Sequence, residues 1–190
     1  MDVESIRLRL TGTKRLLMHN GRLADPLDPI TKDLTRLTLK RPRTEADHFE
    51  ISRVEWFGGL WLNDGKPCIP CEALMATFVQ AAKIRRKSSE AKVGLIVEDH
   101  AALIYDGPTD MDELWKDKSF RLRTGVKLRG ARTMRTRPCF ENWAVEFTAY
   151  FFPSLFDRQS VIDLYVVAGF MKGLGDWRPQ HGNFSVQVIE

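Results

Sequence analysis

Seven Lys or Arg residues stand in the seventeen-residue stretch RLRTGVKLRGARTMRTR, Arg121 to Arg137, with no carboxylate among them. Like charges at this density repel unless an anion shares the space. The anion that suits a segment also carrying Thr124, Thr133, Thr136, Gly125 and Gly130 is the phosphate backbone of a nucleic acid. Arg121, Arg123, Lys127 and Arg129 are all odd-numbered, so an extended chain presents them on one side. Arg132, Arg135 and Arg137 continue the run, and two smaller clusters, Lys14–Arg15 and Lys83–Lys87 with Arg85 and Arg86, add to it. The net charge is only +4, and DGPTDMDELWKDK before the run is net acidic, so the segregation of charge carries the argument. A second stretch of mixed chemistry is GLGDWRPQHG, Gly173 to Gly182. Glycine permits close backbone approach, Trp177 and His181 offer stacking rings, and Arg178 offers a guanidinium to a phosphate. Its structural alternative is a tight helix-to-strand turn with Gly173 just past the helix end and Trp177 packed.

Other chemistry is sparse. Cys68 and Cys71 form CIPC immediately before a helical pattern, the placement of a thioredoxin-type pair, but no second CxxC completes a zinc site. Small buried residues at a strand-to-helix junction is the plainer expectation. Asp47–His48 is the best acid–base candidate, since a His can act as general base in RNA cleavage. His100 falls inside an expected strand. There is no GxSxG, HExxH or P-loop, and Gly173-x-Gly175 does not follow a strand. We therefore expect no catalytic set, no metal and no cofactor.

The elements that must position these residues follow from composition and period. The 190 residues are 43% apolar and 28% charged, which fits one folded domain, residues 1–190. No apolar run approaches the roughly 18 residues that span a bilayer. The start, MDVESIRLRL, is not a secretory signal, and an odd count of cysteines fits a reducing compartment, so a cytoplasmic location is expected. SIRLRL alternates as a half-buried strand. Residues 19–43, with three prolines, read as irregular. RVEWFGGLWLNDGKPCIP reads as a hairpin turning at Asn63–Lys66, and CEALMATFVQAAKIRRK as a helix. KVGLIVEDHAALIYDG supplies one or two strands and ENWAVEFTAYFF another. A helix through VIDLYVVAGFMK, capped by Ser154 or Ser160, is apolar nearly all round and should be well buried, and FSVQVI is the last strand. Without two insertions, at about 19–67 and 106–140, the order is βαββαβ, an α+β ferredoxin-like pattern shared with RNA-recognition domains.

IPCEALMATFVQAAKIR resembles the helix start of the RAMP superfamily, the RNA-binding proteins of CRISPR effector complexes. Ile69 and Pro70 fall on its Ile-Pro, Cys71 on its Gly, Ala81 or Ala82 on its small residue, and Arg85 or Arg86 on its Arg. GLGDWRPQHGNFSV is similar to the family's glycine-rich loop, with Gly173, Gly175 and Gly182 on its glycines, Arg178 on its basic residue and Phe184 on its closing apolar position. The resemblance implies an RRM-like core whose insertions act as web and thumb around a guide strand, and a phage or mobile-element relative of the CRISPR backbone subunits. The expected activity is non-catalytic binding of single-stranded RNA or DNA, by side-by-side oligomerisation or as a subunit of a nucleoprotein complex, with no membrane partner. The expected contacts are Lys14, Arg15, Lys83, Arg85, Arg86, Arg121, Arg123, Lys127, Arg129, Arg132, Arg135, Arg137, Trp177, Arg178 and His181. The alternatives are a ribonuclease using His48 or Asp47 and a protein that mimics a CRISPR subunit to inhibit its complex.

Overall fold

Ile6, Leu8 and Leu10 alternate into a core as their spacing dictates, and Arg7 and Arg9 point the other way. The structure, a computed structural model, describes residues 2–128 and 130–189. In chain order its elements are β1 (Glu4–Gly12), β2 (Leu16–Leu17), α1 (Pro29–Leu39), α2 (Glu45–Gly59), β3 (Leu62–Asn63), β4 (Lys66–Ile69), α3 (Cys71–Ile84), α4 (Ser88–Gly94), β5 (Leu95–Ile96), β6 (Ala101–Ile104), α5 (Met111–Lys116), β7 (Arg121–Leu128), β8 (Ala131–Phe140), β9 (Ala144–Phe151), α6 (Arg158–Met171) and β10 (Phe184–Val188). The fold is mixed α and β with antiparallel pairing. No helix among the described residues is long and apolar enough to cross a membrane.

Contacts divide the chain into two compact units where the sequence suggests one domain with two insertions. The first unit comprises residues 1–16, 62–106 and 141–190, and the second residues 17–61 and 107–140. Each inserted segment is too short to close a core by itself, so the two fold on each other. Charge divides with them. The second unit holds sixteen Lys and Arg against eleven Asp and Glu, and the first holds thirteen against fourteen.

In the first unit the strands lie in the order β10-β1-β9-β6-β4-β3, with β5 beside β9. Val145, Phe147, Ala149 and Phe151 of β9 are buried in alternation, as expected. α3 buries Leu74, Phe78, Ala81 and Ala82, and α6 buries Val161, Leu164, Tyr165 and Ala168. Tyr165 sits 5.2 Å from the Phe78 ring and 5.5 Å from Phe147, which ties both helices to the sheet. Gly169 permits this packing, because a Cβ there would stand 2.1 Å from the Phe184 carbonyl oxygen. α6 is not buried all round: Val166, Met171 and above all Phe170 are exposed. Its cap is Asp157, which accepts from the Ser160 N–H at 2.7 Å, and neither Ser154 nor Ser160 serves. An acceptor at the N-cap satisfies the free amides of the first turn, which Ser160 inside that turn cannot do.

In the second unit the expected irregular stretch contains α1. Pro29 sits at its first position and Asp28 accepts from the Ile30 and Thr31 N–H groups. RVEWFGG is helical rather than a strand. Thr44 and Asp47 form a reciprocal capping box, Asp47 N–H to Thr44 Oγ1 and Thr44 N–H to Asp47 Oδ2, which starts α2 and carries it through Gly59. Only β3 and β4 remain of the expected hairpin, turning at Asp64 and Gly65 with φ of 49° and 75°. The strands β2, β8 and β7 form a second sheet in that order. Trp56 of α2 is buried and donates from Nε1 to the Phe120 carbonyl at 2.8 Å, which fixes α2 against the start of β7.

Candidate nucleic-acid interface

The basic run is a β-hairpin. Its register pairs Arg121 with Pro138, Arg123 with Thr136, Gly125 with Met134, Lys127 with Arg132 and Leu128 with Ala131. Arg121, Arg123 and Lys127 therefore share one face, and Arg132 stands directly opposite Lys127 on it. Arg123 and Lys127 are exposed, and neither they nor Arg132 has an ion-pair partner among the described residues. Arg121 is half-buried, its guanidinium 4.2 Å above the Trp115 ring. Arg129 lies outside the described residues.

Arg135 and Arg137 do not belong to this exposed set. Their NH1 groups donate to Glu55 Oε1 at 3.3 and 3.2 Å, and the Thr136 N–H donates to Glu55 Oε2 at 2.8 Å. Glu55 and Arg137 are buried, and Thr136 is bonded to Ser52 at 2.7 Å, hydroxyl to hydroxyl. A buried carboxylate needs cations and donors around it, so Glu55 draws the base of β8 inward. For Arg137 this corrects the expected phosphate contact, and for Arg135 it leaves only a partly covered side chain.

In the first unit the glycine-rich segment is at once a turn and a cluster. Gly173, with φ of 71°, follows the C-cap Lys172, and its N–H donates to the Ala168 carbonyl at 2.8 Å, ending α6. Leu174 is fully buried. Gly182 donates to the Arg15 carbonyl at 2.8 Å, which brings Lys14 and Arg15 beside the loop. Arg178 and Lys14 are exposed, and Arg15 is paired with Glu141 at 3.4 Å. Trp177 is half-buried, neither packed away nor free, with its ring 6.2 Å from His181. Burial holds His181 below its usual pKa, and the positive charges of Arg15 and Lys14 push the same way. Lys83, Arg85 and Arg86 are exposed at the C-terminal end of α3, a third basic patch. By contrast, Arg7 and Arg9 on β1 are engaged within the protein, because both pair with Glu146, at 3.2 and 2.6 Å.

The acid–base candidates are not brought together. Asp47 closes the α2 capping box and binds Lys40 Nζ at 2.7 Å, and those bonds hold its carboxyl well below the usual range, with Lys40 contributing most. His48 is exposed on α2 and lines a cavity instead. Cys68 and Cys71 are buried free thiols. Burial pushes Cys68 up to about 11 and Cys71 upward, the opposite of an activated redox pair. His100 precedes β6 rather than lying within it, and its Nδ1 accepts from the Cys71 N–H at 3.2 Å. α3 has no cap of its own, so His100 supplies one. Cys71, Glu72 and His100 place one donor atom each within 4.8 Å of one another, the candidate metal group of the described residues. In this arrangement the His100 Nδ1 is engaged in capping α3. A thiol of the unfolded chain ionises near 9 and folded Cys68 near 11, so its contribution to stability is complete below pH 9 and is lost as pH rises through that interval. The native protein should accordingly resist iodoacetamide at pH 8 and react at all three cysteines only in denaturant. Rapid native alkylation of Cys71 would refute this.

Phe49 is a residue that sequence reasoning passed over. It is 56% exposed on α2, beside His48 and the cations of β7. An aromatic next to the acid–base candidate was the available signal, hidden because its neighbours lie some seventy residues away on another element. No protein-family model and no curated protein sequence matches the chain.

Proposed function

We propose that the protein binds single-stranded RNA or DNA through its phosphate backbone, as a binding module without a catalytic step. The observation that carries this reading is the outer half of the β7–β8 hairpin. Lys127 faces Arg132 directly, with Arg123 two positions along the same face, and no carboxylate pairs with any of the three among the described residues. Like charges opposite each other destabilise a hairpin, and a polyanion relieves that cost. The clusters at Lys14–Arg178 and Lys83–Arg86 offer further phosphate contacts. The engagement of Asp47 in a cap supports binding over cleavage.

The strand order β10-β1-β9-β6, with α3 between β1 and β6 and α6 between β9 and β10, agrees with the order 4-1-3-2 that a ferredoxin-like βαββαβ core would have. It supports the RRM-like reading and the likeness to the RAMP superfamily, in which the two inserted segments would correspond to web and thumb. Among the described residues β10 and β3 are the outermost strands of the sheet order, and side-by-side assembly along a strand would use such edges.

The test is fluorescence anisotropy of a labelled single strand across a salt series. A Lys127→Ala/Arg132→Ala protein should fold normally and lose roughly 1.4 from the slope of log affinity on log salt, about 0.7 for each phosphate contact. An unchanged slope and affinity would sink the proposal. Binding to a protein partner with no affinity for any strand would favour the mimic reading instead.

A further inference from the structure

Two cavities lie between α2 and the β7–β8 hairpin within the second unit. The smaller, about 450 Å³, is lined by Phe49, Lys118 and Arg121. The larger, about 670 Å³, is lined by Arg43, Arg132, Arg135 and the buried Glu55 and Thr136. Glu45, His48, Ser52 and Arg123 line both, so the two form one groove with Arg123 and His48 at its middle. Each half has the volume of a small-ligand site.

Two features of this groove are unexplained by packing. The Phe49 ring meets Trp115 edge-on, centroids 5.7 Å apart at 65°, and more than half of Phe49 remains uncovered. Arg43 Nε is buried without a hydrogen-bond partner, although its NH2 group donates to the Thr38 carbonyl. An exposed aromatic ring in one groove with Arg123, which has no ion-pair partner among the described residues, is the pairing that holds an unstacked base and its phosphate.

We propose that the groove seats two successive unpaired nucleotides, one base stacked on Phe49, the linking phosphate on Arg123, and the second nucleotide in the larger half beside Arg43. This rests on the strand-binding reading and goes beyond it: the protein takes hold of base faces as well as phosphates. Duplex is thereby excluded, because paired and stacked bases offer no free face to Phe49.

The experiment uses the full chain with single strands of RNA and of DNA that carry one 5-iodouracil, irradiated and mapped by peptide mass, alongside anisotropy. The crosslink should fall on Phe49. Phe49→Ala should lose it and weaken binding roughly tenfold with little change in salt slope, and Phe49→Trp should restore both. Lys127→Ala should reduce the slope and keep the crosslink. The RNA and DNA arms show whether a 2′-hydroxyl adds affinity. Crosslinks elsewhere with wild-type affinity for Phe49→Ala, or a blunt duplex bound as tightly as the strand, would overturn the groove proposal and leave backbone binding standing. No binding of any strand by the wild-type protein would overturn both. The crosslink map of the wild-type protein decides the matter even if the Phe49 variants fold poorly.

Discussion

Glu55→Ala should destabilise the second unit by about 3–5 kcal/mol, the range seen when one partner of a buried ion pair is removed. Glu55 is 3% exposed and serves three donors at once, the guanidinium groups of Arg135 and Arg137 and the Thr136 N–H. Its loss removes the carboxylate that faces the buried Arg137 guanidinium and the acceptor of the buried Thr136 N–H, and each carries a desolvation cost. Glu55→Gln keeps an acceptor for the Thr136 N–H and should lose less. Thr136→Val, which removes only the hydroxyl contact to Ser52, should cost about 1–2 kcal/mol. Urea unfolding followed by the fluorescence of Trp56 and Trp115, both buried in this unit, reads all three. A Glu55→Ala protein within about 1 kcal/mol of wild type would show that the triad does not anchor β8.

Gly182→Ala should destabilise the first unit by roughly 3–5 kcal/mol, the sum of a strained backbone and an overpacked contact. Gly182 has a φ of 73°, and a Cβ there would stand 1.7 Å from the Leu174 carbonyl oxygen. That oxygen belongs to backbone that cannot yield, because the Leu174 N–H is bonded to the Gly182 carbonyl and the Leu174 side chain is fully buried. Gly21→Ala is the control: nothing lies within 4 Å of the position, and its stability should be near wild type. If the two variants unfold at the same urea concentration, the glycine loop is looser than its hydrogen bonds imply. If the proposed strand binding holds, the loss should also depress the contribution of Lys14 and Arg178, since the Gly182 N–H holds the Arg15 carbonyl against the loop.

Much of the first unit is legible in the sequence, because its signals are local. The period-two alternation of β1 and β9, the helical run of α3 and the Asn63–Lys66 turn each depend on residues within about ten positions of one another. The basic clusters and the glycine loop were visible for the same reason: composition survives folding. The capping box at Thr44 was also written in the sequence, but the β-branched and aromatic residues Val54, Trp56 and Phe57 suggested a strand, and the register of the cap decided for helix.

Only the tertiary structure decided which charges are free. Arg135 and Arg137 look like Arg123 and Arg132 in sequence. Glu55, eighty-one residues from Thr136, separates them by pulling the base of β8 inward and leaving the outer hairpin bare. The same long-range pairing turned two short insertions into a compact unit, set Arg15 against Gly182, and placed Phe49 of α2 beside Arg121 and Arg123 of β7. Periodicity fixes which face of an element is apolar, but the partner across the gap depends on chain closure over scores of residues, and no local pattern encodes it.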